Sequence, residues 1–170
     1  MKTITWNNQT KKHPAGVCEG ATVTWLQEIQ KSGISKSNQI TAQDCDALQA
    51  ECEKGDFTWA VDLQSTVKPS SFDALNGNTL KVDGKSKDSI ETGVLGHLTK
   101  PGDFVYISAT NPGGHAMALY RTKDKIYYFD PNHAIYEIDA ANKSDLISLT
   151  SQINNNSSPW KDVVTRAGKI

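Results

Sequence analysis

The chain has 170 residues, of which 37% are hydrophobic and 22% charged, and its formal net charge is −1. This composition predicts one globular domain over residues 1–170. The small net charge gives no sign of the basic surface that binding to nucleic acid or an anionic membrane requires. No apolar run is long enough to span a bilayer, and three cysteines, an odd number, argue against a disulfide framework and for a reducing compartment.

The first part of the chain combines a polar segment with a helix. Residues 1–13 are polar and are predicted to form a loop or arm. Apolar residues recur at helical spacing over 17–32, and Gly33 supplies a stop signal. Trp25 lies on the apolar face of this helix, so we assign it to the core rather than to substrate binding.

Three further helical patterns follow in the first half of the chain. Residues 41–54 predict a helix that begins in a capping-box pattern of Thr41 and Asp44. Residues 69–78 predict a short helix that closes in an Asn-Gly-Asn turn. Residues 86–98 predict another helix, so the first half of the chain is expected to be mainly helical.

Strand patterns dominate the second half. Alternating apolar residues bounded by turn residues predict four strands, over 104–108, 115–121, 126–130 and 134–138. Residues 110–114 form a Gly- and Pro-containing loop, and a helix is predicted around 144–154. Residues 163–166 predict an edge strand. Helices followed by antiparallel strands define an α+β fold class.

Cys18 is the first residue that could carry chemistry. It lies at the start of the first helix, where the positive end of the helix favours a thiolate. Gly16 and Gly20 on either side would allow a substrate backbone to approach closely. The alternative is that Cys18 is a small buried apolar residue. Cys45 and Cys52 lie about two turns apart on the apolar face of the second helix, and we assign both to the core.

His115 and Asp130 lie at the ends of two successive strands. In an antiparallel hairpin that turns near Asp124, position 115 pairs near 132 or 133, which brings Asp130 close to His115. A carboxylate there could orient the imidazole. The alternative is that Asp130 only bonds the local backbone of an Asp-Pro-Asn turn. The positions of the remaining histidines give less support for a catalytic role: His13, His97 and His133.

Three blocks of the sequence carry a resemblance to a known family: Gly16-Val17-Cys18 with Trp25-Leu26, Gly114-His115-Ala116, and Tyr127-Tyr128-Phe129-Asp130-Pro131-Asn132. They resemble the YopT/AvrPphB family of bacterial effector cysteine proteases. The resemblance implies a papain-like fold, with a helical N-terminal half packed on a C-terminal antiparallel sheet. It also implies a catalytic triad in which Cys18 is the nucleophile, His115 the base and Asp130 the group that orients the base. No cofactor is implied.

The stretch before Cys18 departs from the papain-like pattern. Papain-like enzymes place an oxyanion-hole amide side chain a few residues before the cysteine. The nearest amides here are Asn7, Asn8 and Gln9, which are therefore the candidate oxyanion donors beside the backbone N–H of Cys18. The sequence has no paired histidines at helical spacing and no CxxC pair, so no metal site is expected.

Other functions on the same fold stay open. The segment from Leu98 to Tyr106, followed by the Gly-His-Ala strand, is similar to the NlpC and CHAP peptidoglycan amidases. A deamidase or a transglutaminase could be built on the same triad, because fold does not determine substrate. A catalytically inactive papain-like protein that acts by binding is the third possibility, and the Lys-rich, amide-poor stretch before Cys18 keeps it open.

The N-terminus and the family resemblance together predict a place of action. Residues 1–9 lack an apolar h-region, so no Sec signal peptide is expected. The resemblance implies a virulence effector or toxin, made in the bacterial cytoplasm and delivered into a target cell by a type III or type VI-like system. Its expected partners are a protein or peptide substrate in a host or rival cell and a secretion apparatus or chaperone.

Overall fold

The computed structural model describes residues 1–7, 13, 16–53, 72–80, 94–110, 114–157 and 162–170. Its helices are α1 (Cys18–Ser32), α2 (Ile34–Ser37), α3 (Asp46–Glu53) and α4 (Lys143–Ser157), with 3₁₀ turns at Ala42–Cys45 and Leu95–His97. Its strands are β1 (Lys2–Ile4), β2 (Phe72–Leu80), β3 (Asp103–Thr110), β4 (Gly114–Arg121), β5 (Lys125–Asp130), β6 (Ala134–Asp139) and β7 (Asp162–Lys169).

The described strands form one antiparallel sheet in the order β1-β6-β5-β4-β3-β7-β2. Strands β3 to β6 follow one another as hairpins, because alternating apolar residues and short polar turns favour pairing of neighbours in the sequence. In the β4–β5 hairpin, Ala118 pairs with Phe129 and Arg121 with Ile126. This is the register that the sequence predicts for the segment between His115 and Asp130.

Alternation along the central strands sends apolar side chains to both faces of the sheet. One face packs against α1, whose Trp25 is fully buried and lies 5.5 Å from the ring of Phe129. The other face packs against α4 through Leu149 and Ile153. The sheet is therefore a shared middle layer between helices, and the assignment of Trp25 to the core is confirmed.

Several predicted elements are confirmed, together with the α+β class. The first helix ends at Gly33, which has φ of 85°, a value that L-residues with side chains rarely adopt. The capping box of Thr41 and Asp44 is present, although it opens a 3₁₀ turn that leads into α3. The strands β3 to β6 and the helix α4 lie where alternation and periodicity predict them.

Three predictions from the sequence are wrong. The sequence predicts a helix over 69–78, but the described part, from Phe72 onward, belongs to β2, which pairs with β7 with a register shift between Ala74 and Thr79. Residues 69–71 lie outside the described residues. The Asn-Gly-Asn segment is therefore an irregularity within a strand pair and not the end of a helix. The segment 163–166 is not an edge strand, because β7 lies between β3 and β2. Residues 1–13 are not all loop, since β1 pairs with β6.

The predicted helix over 86–98 lies mainly outside the described residues, and its described end contains the 3₁₀ turn Leu95–His97. Among the helices that the structure describes, none has both the length and the apolar character needed to cross a membrane.

Candidate active site

The nucleophile candidate Cys18 is the first residue of α1, and two contacts fix this helix end. The hydroxyl of Thr22 donates to the carbonyl of Ala116 on β4 at 3.0 Å, which ties α1 to the sheet. The N–H of Gly20 donates to Oε1 of Gln49 on α3 at 2.9 Å. A Cβ at Gly20 would lie 2.7 Å from the backbone nitrogen of Gln49, so only glycine permits this approach of α1 to α3.

The side chain of Cys18 meets the sheet where β4 begins. Its Sγ lies 4.0 Å from the carbonyl oxygen of Gly114, the residue before His115, and the sulfur is near enough to the imidazole to help raise the pKa of His115. Cys18 is half-buried, so reagents from solvent can reach it. The first turn of α1 also presents backbone N–H groups that have no partner within the helix, which favours negative charge at this position.

His115 and Asp130 form a buried pair. Nε2 of His115 lies 2.8 Å from Oδ1 of Asp130, and both side chains are almost completely inaccessible to solvent. An ionised carboxylate can only accept, so Nε2 carries the proton in this bond. The nitrogen that remains for the thiol of Cys18 is therefore Nδ1. The structure thus brings all three predicted residues into one connected group.

The electrostatics of the pair favour a protonated imidazole beside the sulfur. Burial by itself lowers the pKa of His115, but hydrogen bonds to Asp130 and Cys18 and their negative charges raise it to about 9. Burial likewise raises the pKa of Asp130, but the hydrogen bond and charge of His115 and the N–H of Asn132 outweigh it, so the net pKa is lowered. An imidazolium stabilised by a carboxylate is the partner that a thiolate nucleophile needs.

Asp130 is also a turn residue, so the two interpretations of this aspartate are compatible. Its Oδ1 accepts from the backbone N–H of Asn132 at 2.9 Å, and its carbonyl accepts from the N–H of His133 at 2.9 Å. The turn thereby fixes the direction in which the carboxylate points.

Two groups on the second carboxylate oxygen were missed by the sequence analysis. Nδ1 of His133 lies 3.1 Å from Oδ2 of Asp130, although the sequence gives His133 less support for a catalytic role than His115. The hydroxyl of Tyr128 donates to the same oxygen at 3.3 Å. Alternation along β5 places Tyr128 and Asp130 on one face, and this signal was available in the sequence.

His13, which the sequence places in a polar arm, is buried. Its Nδ1 lies 2.9 Å from Oε1 of Glu53, and its Nε2 lies 3.0 Å from the carbonyl oxygen of Asp46, both on α3. The same Glu53 carboxylate accepts from Nε2 of Gln49 at 3.4 Å. Helix α3 therefore holds both the segment before Cys18 and the first turn of α1.

The remaining candidates differ in how far the structure describes them. Asn7 is exposed, and its carbonyl accepts from the N–H of Ala42 at 2.9 Å, while Asn8 and Gln9 lie outside the described residues. Cys45 is buried as expected, and burial raises the pKa of its thiol to about 12. The side chain of Cys52 lies outside the described set. Over the described ranges, no cluster of metal-binding side chains occurs.

Comparisons with known proteins agree with this architecture. No protein-family model matches the chain, and no curated protein matches its sequence significantly. Its structure is similar to the crystal structure of the Pseudomonas avirulence protein AvrPphB, with a TM-score of 0.60 over 97% of both chains and 17% sequence identity. The papain-like fold class expected from the sequence resemblance is thereby confirmed. At this identity the similarity concerns the fold, and the activity must be argued from the site.

Proposed function

We propose that this protein is a papain-like cysteine hydrolase, most simply a protease, with Cys18, His115 and Asp130 as its catalytic triad. The observation that carries the proposal is the buried 2.8 Å bond between His115 and Asp130, at the point where the thiol of Cys18 meets the start of β4. A nucleophile, a base and an acid that orients the base are the parts that thiol acyl transfer requires.

The geometry supports a two-stage reaction. The thiolate of Cys18 attacks the substrate carbonyl carbon and forms a C–S bond, while Nδ1 of His115 carries the proton. His115 gives this proton to the leaving amine as the C–N bond breaks, which leaves a thioester on Cys18. His115 then takes a proton from water, the hydroxide attacks the thioester, and the sulfur leaves as a thiolate. Asp130 holds the ring throughout and needs no change of its own protonation state.

The oxyanion that forms during attack needs two donors. The backbone N–H of Cys18 lies in the first turn of α1, where it has no partner within the helix. The second donor is proposed to be an amide side chain from Asn7, Asn8 or Gln9. Replacing each with alanine should lower kcat about 10²–10³-fold for the true donor and little for the other two.

A role as an effector is supported by the fold. The similar structure is that of an avirulence protein, and the sequence blocks around Cys18, His115 and Asp130 resemble effector proteases. We therefore propose that the protein acts inside a target cell after delivery by a type III or type VI-like route. Its substrate would be a protein of that cell, and a secretion apparatus or chaperone would be its partner before delivery.

Expression in two compartments tests the substrate class. Wild-type protein should impair growth when expressed in yeast cytosol, and Cys18→Ala and Asp130→Ala should abolish this effect while reaching the same protein level. The same three proteins are directed to a bacterial periplasm with an added signal peptide. Toxicity that depends on Cys18 only in the periplasm would replace the protease assignment with a peptidoglycan amidase. Yeast toxicity that survives Cys18→Ala would instead identify a protein that acts by binding.

A further inference from the structure

A chain of buried hydrogen bonds runs from α4 through the sheet to Asp130. Nδ2 of Asn156 donates to the hydroxyl oxygen of Tyr128 at 3.3 Å, and that hydroxyl donates to Oδ2 of Asp130 at 3.3 Å. Asp130 and Tyr128 are fully buried and Asn156 is 5% exposed. Water therefore cannot replace any of these bonds without a change of packing.

The direction of each bond follows from the groups involved. Burial and the charge of Asp130 raise the pKa of Tyr128 well above its usual value, so the phenol stays neutral and has one proton to donate. That proton has two acceptors within reach, Oδ2 of Asp130 and the sulfur of Met117 at 3.0 Å. A carboxylate is a much stronger acceptor than a thioether, so it takes the proton.

The orientation of the Asn156 amide follows from the same proton. Because the hydroxyl of Tyr128 gives its proton to Asp130, its oxygen accepts from Asn156, so the NH₂ group faces Tyr128. Nε2 of Gln152, one helical turn earlier on α4, donates to Oδ1 of Asn156 at 2.8 Å and is consistent with this orientation. The ring of Tyr128 is held as well, because it stacks on Tyr136 at a centroid distance of 5.7 Å.

We propose that Tyr128, held by Asn156, is a positioning residue that fixes the carboxylate of Asp130 for its bond to His115. Asn132 and His115 occupy Oδ1, so the rotation of the carboxylate depends on what holds Oδ2. The partners of Oδ2 are Tyr128, which is buried, and His133, whose side chain is 49% exposed. The buried hydroxyl is the more rigid of these two anchors. Helix α4, on the opposite face of the sheet from α1, thus contributes to the site.

The test uses Tyr128→Phe, which removes one hydroxyl and keeps the stacked ring, with Tyr127→Phe as the matched control. Tyr127 is the neighbouring residue on β5, and alternation turns its side chain to the face opposite Asp130, where Glu137 of β6 is its cross-strand partner. The first readout is the Nε2–H proton of His115 in the NMR spectrum of histidine-labelled protein. We expect Tyr128→Phe to shift this resonance upfield and broaden it, and Tyr127→Phe to leave it in place. An unchanged resonance in Tyr128→Phe would overturn the proposal.

The second readout is the rate at which iodoacetamide alkylates Cys18, followed from pH 5 to 9. Tyr128→Phe should lower the rate at neutral pH about tenfold and move the profile, because the imidazolium is less well supported. Asn156→Ala should act in the same direction with a smaller effect. Because Asn156 acts through the hydroxyl of Tyr128, the alkylation rate of the double variant with both substitutions should match that of Tyr128→Phe alone. Additive effects of the two substitutions would contradict this series of hydrogen bonds.

The functional meaning of this proposal rests on the proposed thiol chemistry, but the two can fail separately. If wild-type Cys18 is alkylated no faster than in His115→Ala, the proposed function fails. The NMR resonance still decides whether Tyr128 positions Asp130. If Tyr128→Phe does not fold, Asn156→Ala supplies the same comparison, and an unchanged His115 resonance in that variant would overturn the proposal.

Discussion

At the scale of single residues, the central feature is a buried histidine whose charged form is stabilised by its neighbours. His115 bonds Asp130 through Nε2, which leaves Nδ1 as the nitrogen available to the nearby thiol of Cys18. The carboxylate gains the proton-donating partners that a buried anion needs, and the imidazole gains a fixed orientation. The same contacts link the stability of the protein to pH.

The stability of the fold should fall above neutral pH because of His115. Its pKa is raised from the ordinary 6.5 to about 9, so its contribution is complete below pH 6.5 and is lost as the pH rises through 9. The pKa of Asp130 is lowered, so its contribution is present above its ordinary value near 4 and is lost as the pH falls below that range. The pair is therefore most stabilising between about pH 4 and 6.5.

Urea unfolding at pH 5.5, 7.5 and 9.5 measures this effect, with His115→Gln as the variant that lacks the titrating group. The free energy of unfolding of the wild type should fall relative to the variant by on the order of 3 kcal/mol between pH 5.5 and 9.5. A difference between the two proteins that stays constant with pH would contradict the assignment of the raised pKa to His115.

The sequence predicted that Cys18, His115 and Asp130 come together, but it did not predict what surrounds them. Cys18, His115 and Asp130 could be named because each lies at the end of a patterned element. Tyr128 could have been added, since alternation puts it on the face of Asp130. Asn156 could not, because the helix predicted around 144–154 ends before it, whereas the structure continues α4 to Ser157.

At the scale of elements, the site depends on the contact between α1 and α3. At Gly20 the two helices approach closely, and its N–H donates to the side chain of Gln49. Helix propensity alone favours alanine at this position by about 1 kcal/mol. The added Cβ would meet backbone atoms of Gln49, which cannot move aside as a side chain could, and such overpacking costs about 1–3 kcal/mol.

Gly20→Ala should therefore destabilise the protein and slow alkylation of Cys18, because α1 must shift away from α3. Ser32→Ala, at an exposed position in the last turn of the same helix, is the control and should change neither property. Thermal unfolding and iodoacetamide labelling measure the two effects. A Gly20→Ala protein as stable as Ser32→Ala would show that the α1–α3 contact is looser than the structure indicates.

The elements that the sequence failed to predict share a cause. Strand β2 contains Asn-Gly-Asn, which locally favours a turn, and its strand structure depends on pairing with the distant β7. Strand β1 has three residues, too few for alternation to be recognised, and it forms because β6 offers an edge. The local sequence pattern predicts strands that pair with a neighbour in the sequence. It did not predict β1 and β2, whose partners lie far along the chain.

At the scale of the whole molecule, one sheet serves two apolar clusters. Leu26 of α1 packs on one face and Leu149 of α4 on the other, and both are fully buried. Because the two clusters share the central strands, neither should survive the loss of the other. We propose on this basis that residues 1–170 form a single cooperative domain.

Leu26→Ala and Leu149→Ala should each lower the free energy of unfolding by about 2–5 kcal/mol. In both variants, circular dichroism and tryptophan fluorescence should report the same unfolding midpoint. Two separated transitions in either variant would contradict a single domain and would assign the two faces of the sheet to separate units.

The decisive measurement is the alkylation rate of Cys18 by iodoacetamide at neutral pH, compared between the wild type and His115→Ala. Comparison with Cys45 alone is not sufficient, because Cys45 is buried and would react slowly for lack of access. We expect Cys18 to react fast in the wild type and at about one tenth of that rate or less in His115→Ala. Equal rates in the two proteins would contradict this expectation, because the imidazole would then have no effect on the sulfur.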